Sequence, residues 1–247
     1  MPITTLRLFL LLSLGASVTS FATNNNPASI QTAIDILNER ADKLGVQPVI
    51  RLGQQSEGGV VIWVNQSSRS GIVAALQNDA DFEANNMVFF PVNTAHFGSY
   101  SQDALGGGYQ NTLQFAPLAG NESMKLTDDF AGKQALLYVT NESGEVGTAN
   151  CDEGVSYGTR SCLGGWYIPN VNEFKTMFNT LCGSGYELPS NRTYWTSSYP
   201  LSNNQRIYAI NVPTNHSCDV SNLTISEEDP TKTASHGYAI RYIRQFR

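Results

Sequence analysis

Cys162-Leu-Gly-Gly-Trp-Tyr-Ile-Pro-Asn170 is the stretch that decides the fold. It reads as a short strand that stops at Pro169 and turns directly into a helix. Asn170 is the helix N-cap, and Glu173 sits three residues later in a capping-box arrangement. Val171, Phe174, Phe178 and Leu181 then recur at spacings of 3, 4 and 3, which predicts one buried helical stripe. Gly183 stands where a left-handed helix terminator is wanted. Two later pieces complete the pattern: Tyr194-Trp-Thr-Ser-Ser198, and Tyr238-Ala-Ile-Arg-Tyr-Ile-Arg244.

Working outward, the chain is predicted to be mostly strands and loops. Val60-Val-Ile-Trp-Val64 and Gly71-Ile-Val-Ala-Ala-Leu76 flank the turn Asn65 to Ser70 and predict a hairpin. Val88 to Val92, Ile207 to Val212 and Ala239 to Arg244 read as further strands. Gly106 to Gly108 reads as a loop, Asn111 to Leu118 as a short helix, and Asp128 to Thr140 as a longer one. Asn141 to Arg160 and Pro213 to Gly237 read as loops. The latter is long for a compact domain, and such loops are usually functional. Trp166 and Trp195 are expected in the core. Arg241 and Arg244 are expected to face opposite ways on one strand, with at most one supporting the core and the other solvated.

The first residues carry their own signal. Arg7, the apolar run Leu8 to Val18 and the small-x-small site Ser20-Phe-Ala22 predict a secretory signal peptide over residues 1–22. That run is shorter than the roughly 20 residues of a spanning helix. The expected product is secreted, at the cell surface or in the periplasm, with no membrane span. Residues 23–28 are polar and predicted to be disordered. In the segment 23–48, Ile30, Ile34, Leu37, Ala41 and Leu44 fall at spacings of 4, 3, 4 and 3. This seam predicts either a helix packed on its own domain or a self-associating stem, as in a trimer. Residues 49–247 form the expected main domain.

The net charge of −6 becomes −7 without Arg7, because residues 1–22 hold no acid. An acidic chain with dispersed bases argues against a nucleic-acid partner. Four cysteines in an exported chain suggest two disulfides. Three connectivities are open, and Cys151–Cys162 with Cys182–Cys218 is favoured. No pair has the C-x-x-C spacing of zinc sites. Asp79-Ala-Asp-Phe-Glu83 places oxygen ligands at alternate positions, but Ala84 stands where a calcium loop needs glycine. No metal site and no cofactor is expected; Glu227-Glu-Asp229 in the long loop is the alternative set of oxygen ligands for Ca²⁺, with a solvated loop preferred. No G-x-S-x-G elbow or H-E-x-x-H helix is present.

Taken together, Gly58 to Val64 with Gly71 to Ala75, Gly108-Tyr-Gln-Asn-Thr112, Gly164 to Asn170 with Glu173-Phe174, Tyr194 to Ser198 and Tyr238 to Phe246 resemble one family. It is the Lcl C-terminal domain family, the C-terminal domain of bacterial collagen-like adhesins. The resemblance implies an α+β, C-type lectin-like domain: a twisted antiparallel sheet with flanking helices and long irregular loops. It also implies non-catalytic recognition, adhesin-like or lectin-like, of a glycan or a host or matrix protein. It carries over no catalytic residue. The E-P-N and W-N-D motifs of Ca²⁺-dependent sugar binding do not occur in the sequence.

Two other readings stand beside it. One is a structural subunit or cap of an extracellular assembly. The other is an enzyme related to the formylglycine-generating fold, against which the even cysteine count argues. Because loops on a rigid scaffold usually carry binding, the expected working surface is Ser198 to Gln205 and Pro213 to Gly237. The candidate ligand-binding residues are Asn203, Asn204, Arg206, His216, Glu227, Glu228 and Asp229.

Overall fold

Apolar stretches such as Gly59–Asn65 and Ile207–Val212 build two sheets whose central strands are largely buried. The computed structural model describes residues 50–90, 101–115, 130–147, 162–200, 202, 205–214 and 217–247. The expected signal peptide, the polar segment and the heptad helix lie outside these residues. The chain is mixed α+β. Strands β1 (Gln55–Ser56), β2 (Gly59–Asn65), β3 (Ser70–Ala74), β9 (Ile243–Phe246) and β4 (Trp166–Tyr167) form one sheet in the order β1-β2-β3-β9-β4. Strands β7 (Thr224–Glu228), β6 (Ile207–Val212), β5 (Arg192–Trp195) and β8 (Tyr238–Ala239) form a second in the order β7-β6-β5-β8. Pairing is antiparallel except between β5 and β8. Among the described residues four α-helices flank the sheets: α1 (Ala80–Ala84), α2 (Gly107–Phe115), α3 (Ala131–Leu137) and α4 (Val171–Leu181).

Neighbouring residues on a strand point to opposite faces, and this divides the core in two. Trp166, Trp195, Ile207, Ala209 and Tyr238 join Phe82, Phe89, Phe90, Phe130 and Ala135 on one side. Tyr167, Tyr194, Ile210, Val212 and Ala239 join the α4 stripe on the other. Phe174, Phe178 and Leu181 are buried as the spacing predicts, and Met177 adds a fourth position. Trp166 and Trp195 are both fully buried. Trp195 stacks on Tyr238 with centroids 4.3 Å apart, and Phe89 packs against it at 5.2 Å.

The expected strand Ala239 to Arg244 is in fact two. β8 belongs to the second sheet and β9 to the first, and Ile240–Tyr242 crosses between them. The crossing is stitched down by Asp79 N–H donating to Ile240 O (2.9 Å) and Ala75 N–H donating to Tyr242 O (2.9 Å). Arg241 is buried within it, donating to Asn78 Oδ1 (3.0 Å) and Ala75 O (2.9 Å). Burial lowers its guanidinium pKa to about 10. The break in the strand removes the simple alternation, so Arg244 is not solvated as expected. Its side chain is only 11% exposed, paired with Glu57 at 2.9 Å, and lies over the Trp166 ring. Asp79 is equally committed: it accepts from Phe82 N–H at the start of α1 and from Tyr242 O–H at 2.6 Å.

Other differences follow from tertiary pairing. Val88 makes only isolated bridges to Phe130 and Thr233, not a strand, and residues 91 and 92 lie outside the description. Helix α2 starts at Gly107 instead of Asn111, so most of the Gly106–Gly108 loop is helix. Helix α3 is shorter than the expected 128–140 span. Residues 213–237 are not one irregular loop, since β7 forms within them and pairs with β6.

Helix α4 begins as predicted. Glu173 N–H donates to Asn170 Oδ1 (2.9 Å), and Asn170 N–H donates to Glu173 Oε2 (2.8 Å). Its far end closes at Cys182, followed by Gly183 at φ +73. The Glu173 carboxylate is fully buried and also accepts from Gly106 N–H (2.7 Å) and Tyr167 O–H (3.1 Å). Burial pushes its pKa up to about 7, although these donors pull it down. The folded protein therefore holds this proton to a higher pH than the unfolded chain, whose value is near 4.5. The resulting contribution to stability is full below about 4.5 and is lost as pH rises toward 7. Its ceiling is on the order of 3 kcal/mol, at about 1.4 kcal/mol per pH unit. Glu173→Gln sets an amide against N–H donors and lowers stability at every pH. Urea unfolding between pH 4.5 and 7.5 should show the gap between wild type and E173Q narrowing as pH rises. A gap of constant size would mean that Glu173 does not titrate in that window.

Candidate recognition face

The β6–β7 hairpin is the one element that carries predicted site residues on regular backbone. Its register places Ile225 beside Ile210 and Glu227 beside Tyr208. Alternation then turns Ile207 and Ala209 toward Trp195, while Tyr208, Ile225 and Glu227 share the opposite face. Where α4 covers this face it is core, at Ile210 and Val212. Farther out, toward β7, the cover ends. Ile225 is 40% exposed, Glu227 is exposed and Tyr208 is half-buried.

Both ends of the hairpin are fastened. At one end, Cys218 is bonded to Cys182 at the end of α4. Asp219 accepts from Ser221 N–H at 2.8 Å, which holds its carboxyl below the usual range, and Asn222 Nδ2 donates to Ser217 Oγ at 3.1 Å. At the other end, Lys232 donates to the Glu228 carboxylate and to Tyr238 O–H (3.2 Å), and lies over the Tyr238 ring. Against the effect of burial, the hydrogen bonds from Lys232 and Ser226 keep the Glu228 pKa low. Asp229 accepts from Thr231 N–H (2.9 Å) and Oγ1 (2.7 Å), and these bonds lower its pKa.

A distant loop completes the face. Asn170 Nδ2 donates to Gln102 O (3.0 Å) and Ala104 O (2.7 Å), and Asn172 Nδ2 donates to Asp103 O (2.8 Å). The first turn of α4 thus pins residues 102–104. Asp103 in turn accepts from Ser198 Oγ (2.7 Å), whose oxygen accepts from Val171 N–H (3.1 Å). Partial burial, followed by the negative charges of Glu227 and Asp103, raises the Tyr208 pKa. Tyr208 therefore stays a neutral phenol, an aromatic surface with a hydrogen-bonding tip, between two carboxylates.

The predicted residues fare unequally. Asn203, Asn204 and His216 lie outside the described residues. Arg206 is exposed just before β6, and its charge helps to lower the Asp229 pKa. Glu227 faces outward. Glu228 and Asp229 are already engaged within the domain. Ser198 lies within the expected working surface, whereas Tyr208 and Asp103 were not anticipated as parts of one face with it. Tyr208 was open to inference as the outward position of β6, but nothing in the sequence links Asp103 to it. Among the described residues, no group of three or more His, Cys, Asp or Glu side chains is placed to hold a metal ion. Cys162 is also disulfide-bonded, and its expected partner, Cys151, lies outside the described residues.

No family model matches the chain, and no curated protein matches it.

The Cys182–Cys218 bond closes a span of 36 residues that includes β5 and β6. Replacing both cysteines by serine should lower stability by about 3–4 kcal/mol through the freed unfolded chain. Denaturant unfolding measures the loss. Limited proteolysis should cut first within residues 213–223, where the fastening is released; primary cleavage elsewhere would contradict a local role for this bond.

Proposed function

We propose that this protein is a secreted or surface-exposed, non-catalytic recognition domain of C-type lectin-like fold, of the Lcl C-terminal type. It engages a glycan or an extracellular protein through the face that carries Tyr208, Ile225, Glu227 and Asp103. The observation that carries this reading is the contrast between neighbours on one hairpin. Glu228 and Asp229 are bound into the domain, whereas Glu227 and Ile225 are displayed outward on a strand held at both ends. A rigid backbone with outward aromatic, apolar and acidic groups loses little entropy on binding. The three described cysteines are all disulfide-bonded, which supports the non-enzymatic reading over chemistry that needs a reactive thiol pair.

An array of glycans and matrix proteins tests it, probed with the whole mature chain, with and without Ca²⁺ and at two salt concentrations. Retention should be confined to a few related ligands. Tyr208→Ala and Glu227→Ala should each weaken it by about tenfold or more, as expected of residues central to an interface, with thermal unfolding unchanged. A fall in retention with salt would assign the binding to charge. No retention by the wild-type chain, or retention indifferent to both substitutions, would sink the proposal.

A further inference from the structure

Among the described residues, four strands stand at sheet edges: β1, β4, β7 and β8. β1, β4 and β8 are two residues each, and such short edges offer little for another chain to pair with. β7 is different. It runs for five residues, Thr224–Glu228, and pairs on its β6 side alone.

The far side of β6 decides which backbone groups of β7 are open. Tyr208 N–H donates to Ser198 O (2.9 Å), and Tyr208 O accepts from Thr196 N–H (3.1 Å). Both main-chain groups of Tyr208 thus point away from β7. Tyr208 and its opposite residue, Glu227, form the kind of antiparallel pair that exchanges no hydrogen bonds. The two kinds of pair alternate. Ile207–Glu228, Ala209–Ser226 and Asn211–Thr224 therefore carry the ladder, and Ile210–Ile225 does not. The N–H and C=O of Ile225 and Glu227 face outward from the sheet edge. No hydrogen bond to them exists among the described residues, and both residues are exposed.

The side chains narrow the partner. Glu228 is paired with Lys232, whereas the Glu227 carboxylate meets no cation at close range among the described residues. Pairing β7 with β7 of a second copy would put both Glu227 carboxylates on one short ribbon, and like charges across strands destabilise it. A basic residue on the incoming strand turns the same carboxylate into an attraction. We infer that β7 takes up an extended segment of a partner protein as an added strand. An apolar side chain of that segment lies beside Ile225, and a lysine or arginine two positions away lies beside Glu227. Main-chain bonds to Ile225 and Glu227 supply the affinity, and the two side chains supply the choice. This inference rests on the β6–β7 face as the working surface and names its partner as a polypeptide.

The probe is the capped peptide Thr-Lys-Thr-Val-Thr-Lys-Thr, whose core fits β7 in either direction, titrated against the whole mature chain. Amide exchange followed by NMR reads it site by site. In the free chain the Ser226 amide should exchange slowly and those of Ile225 and Glu227 fast. Saturating peptide should slow the latter two by about tenfold or more. Two N-methylated peptides should differ, one blocked at Val and both Lys, the other at the two Thr beside Val. Only alternate amides face β7, so one loses binding by about tenfold or more and the other keeps it. A peptide with Glu in place of Lys should not bind, and Glu227→Lys should restore its binding. Ile225→Pro removes an outward N–H without touching the β6 ladder, so it should abolish binding with thermal unfolding little changed. If I225P does not fold, the peptide pairs and E227K decide. Equal binding of the two N-methylated peptides, or of the Lys and Glu peptides, would overturn the inference, as would no saturation up to about 5 mM. A dimer in light scattering that I225P dissolves would assign the edge to a second copy and overturn it. Tyr208→Ala leaves the edge groups in place, so the two failures are distinguishable. Array retention that Y208A destroys and I225P leaves intact would overturn strand addition alone.

Discussion

The reciprocal cap between Asn170 and Glu173 is the interaction on which the rest of the molecule leans. Its two backbone bonds start helix α4, as in any capping box. Its remaining atoms do something less local. Asn170 Nδ2 holds residues 102 and 104, and Glu173 Oε1 holds Gly106 and Tyr167. The loop between them carries Asp103 to the β6–β7 face. One four-residue motif thus positions a loop that is distant from it in sequence. The full burial of a carboxylate that meets no cation at close range among the described residues is the cost of that arrangement, offset by its converging donors.

The legibility of the fold from sequence follows the range of the forces involved. Helix α4, its cap and its terminator depend on residues within one or two turns of each other, and Asn170, Glu173, Phe174, Phe178 and Gly183 stand where the pattern places them. The β2–β3 hairpin and β6 are also local and are found as read. What failed depended on distant partners. Val88 is apolar enough for a strand but meets only single-residue bridges. Thr224 to Glu228 is too polar to read as a strand, yet β6 gives it a ladder to join. Arg241 and Arg244 do not divide between core and solvent as expected, because the chain changes sheets between Tyr238 and Ile243, a move invisible in a run of alternating residues.

The candidate surfaces were less legible still. Reading loops as binding surfaces pointed to residues 213–237 as a region, but which of its side chains face outward depends on the pairing of β7 with β6. Glu227, Glu228 and Asp229 are adjacent and chemically alike; strand register separates Glu227 from Glu228, and the turn beyond the strand engages Asp229 with Thr231. Tyr208 and Asp103 are far apart in sequence and meet through the Asn170 latch. The register shift in the first hairpin, where Val61 pairs with Val73 but Trp63 with Ile72, has no sequence mark at all, because Ile62 and Trp63 are both apolar and either would suit a buried strand.

The passage of Ile240–Tyr242 from one sheet to the other has a consequence for assembly. The inner edge of the first hairpin, Gly71 to Ala74, waits for β9, and β5 waits for β8. Both partners come from the same short stretch late in the chain. Until that stretch arrives, each sheet has an open hydrogen-bonding edge of the kind that invites pairing with another chain. Closure of both edges is then a single event with long loops to pin, the type of step that makes folding slow. A chain halted before residue 238 would be left with two exposed edges and a strong tendency to aggregate.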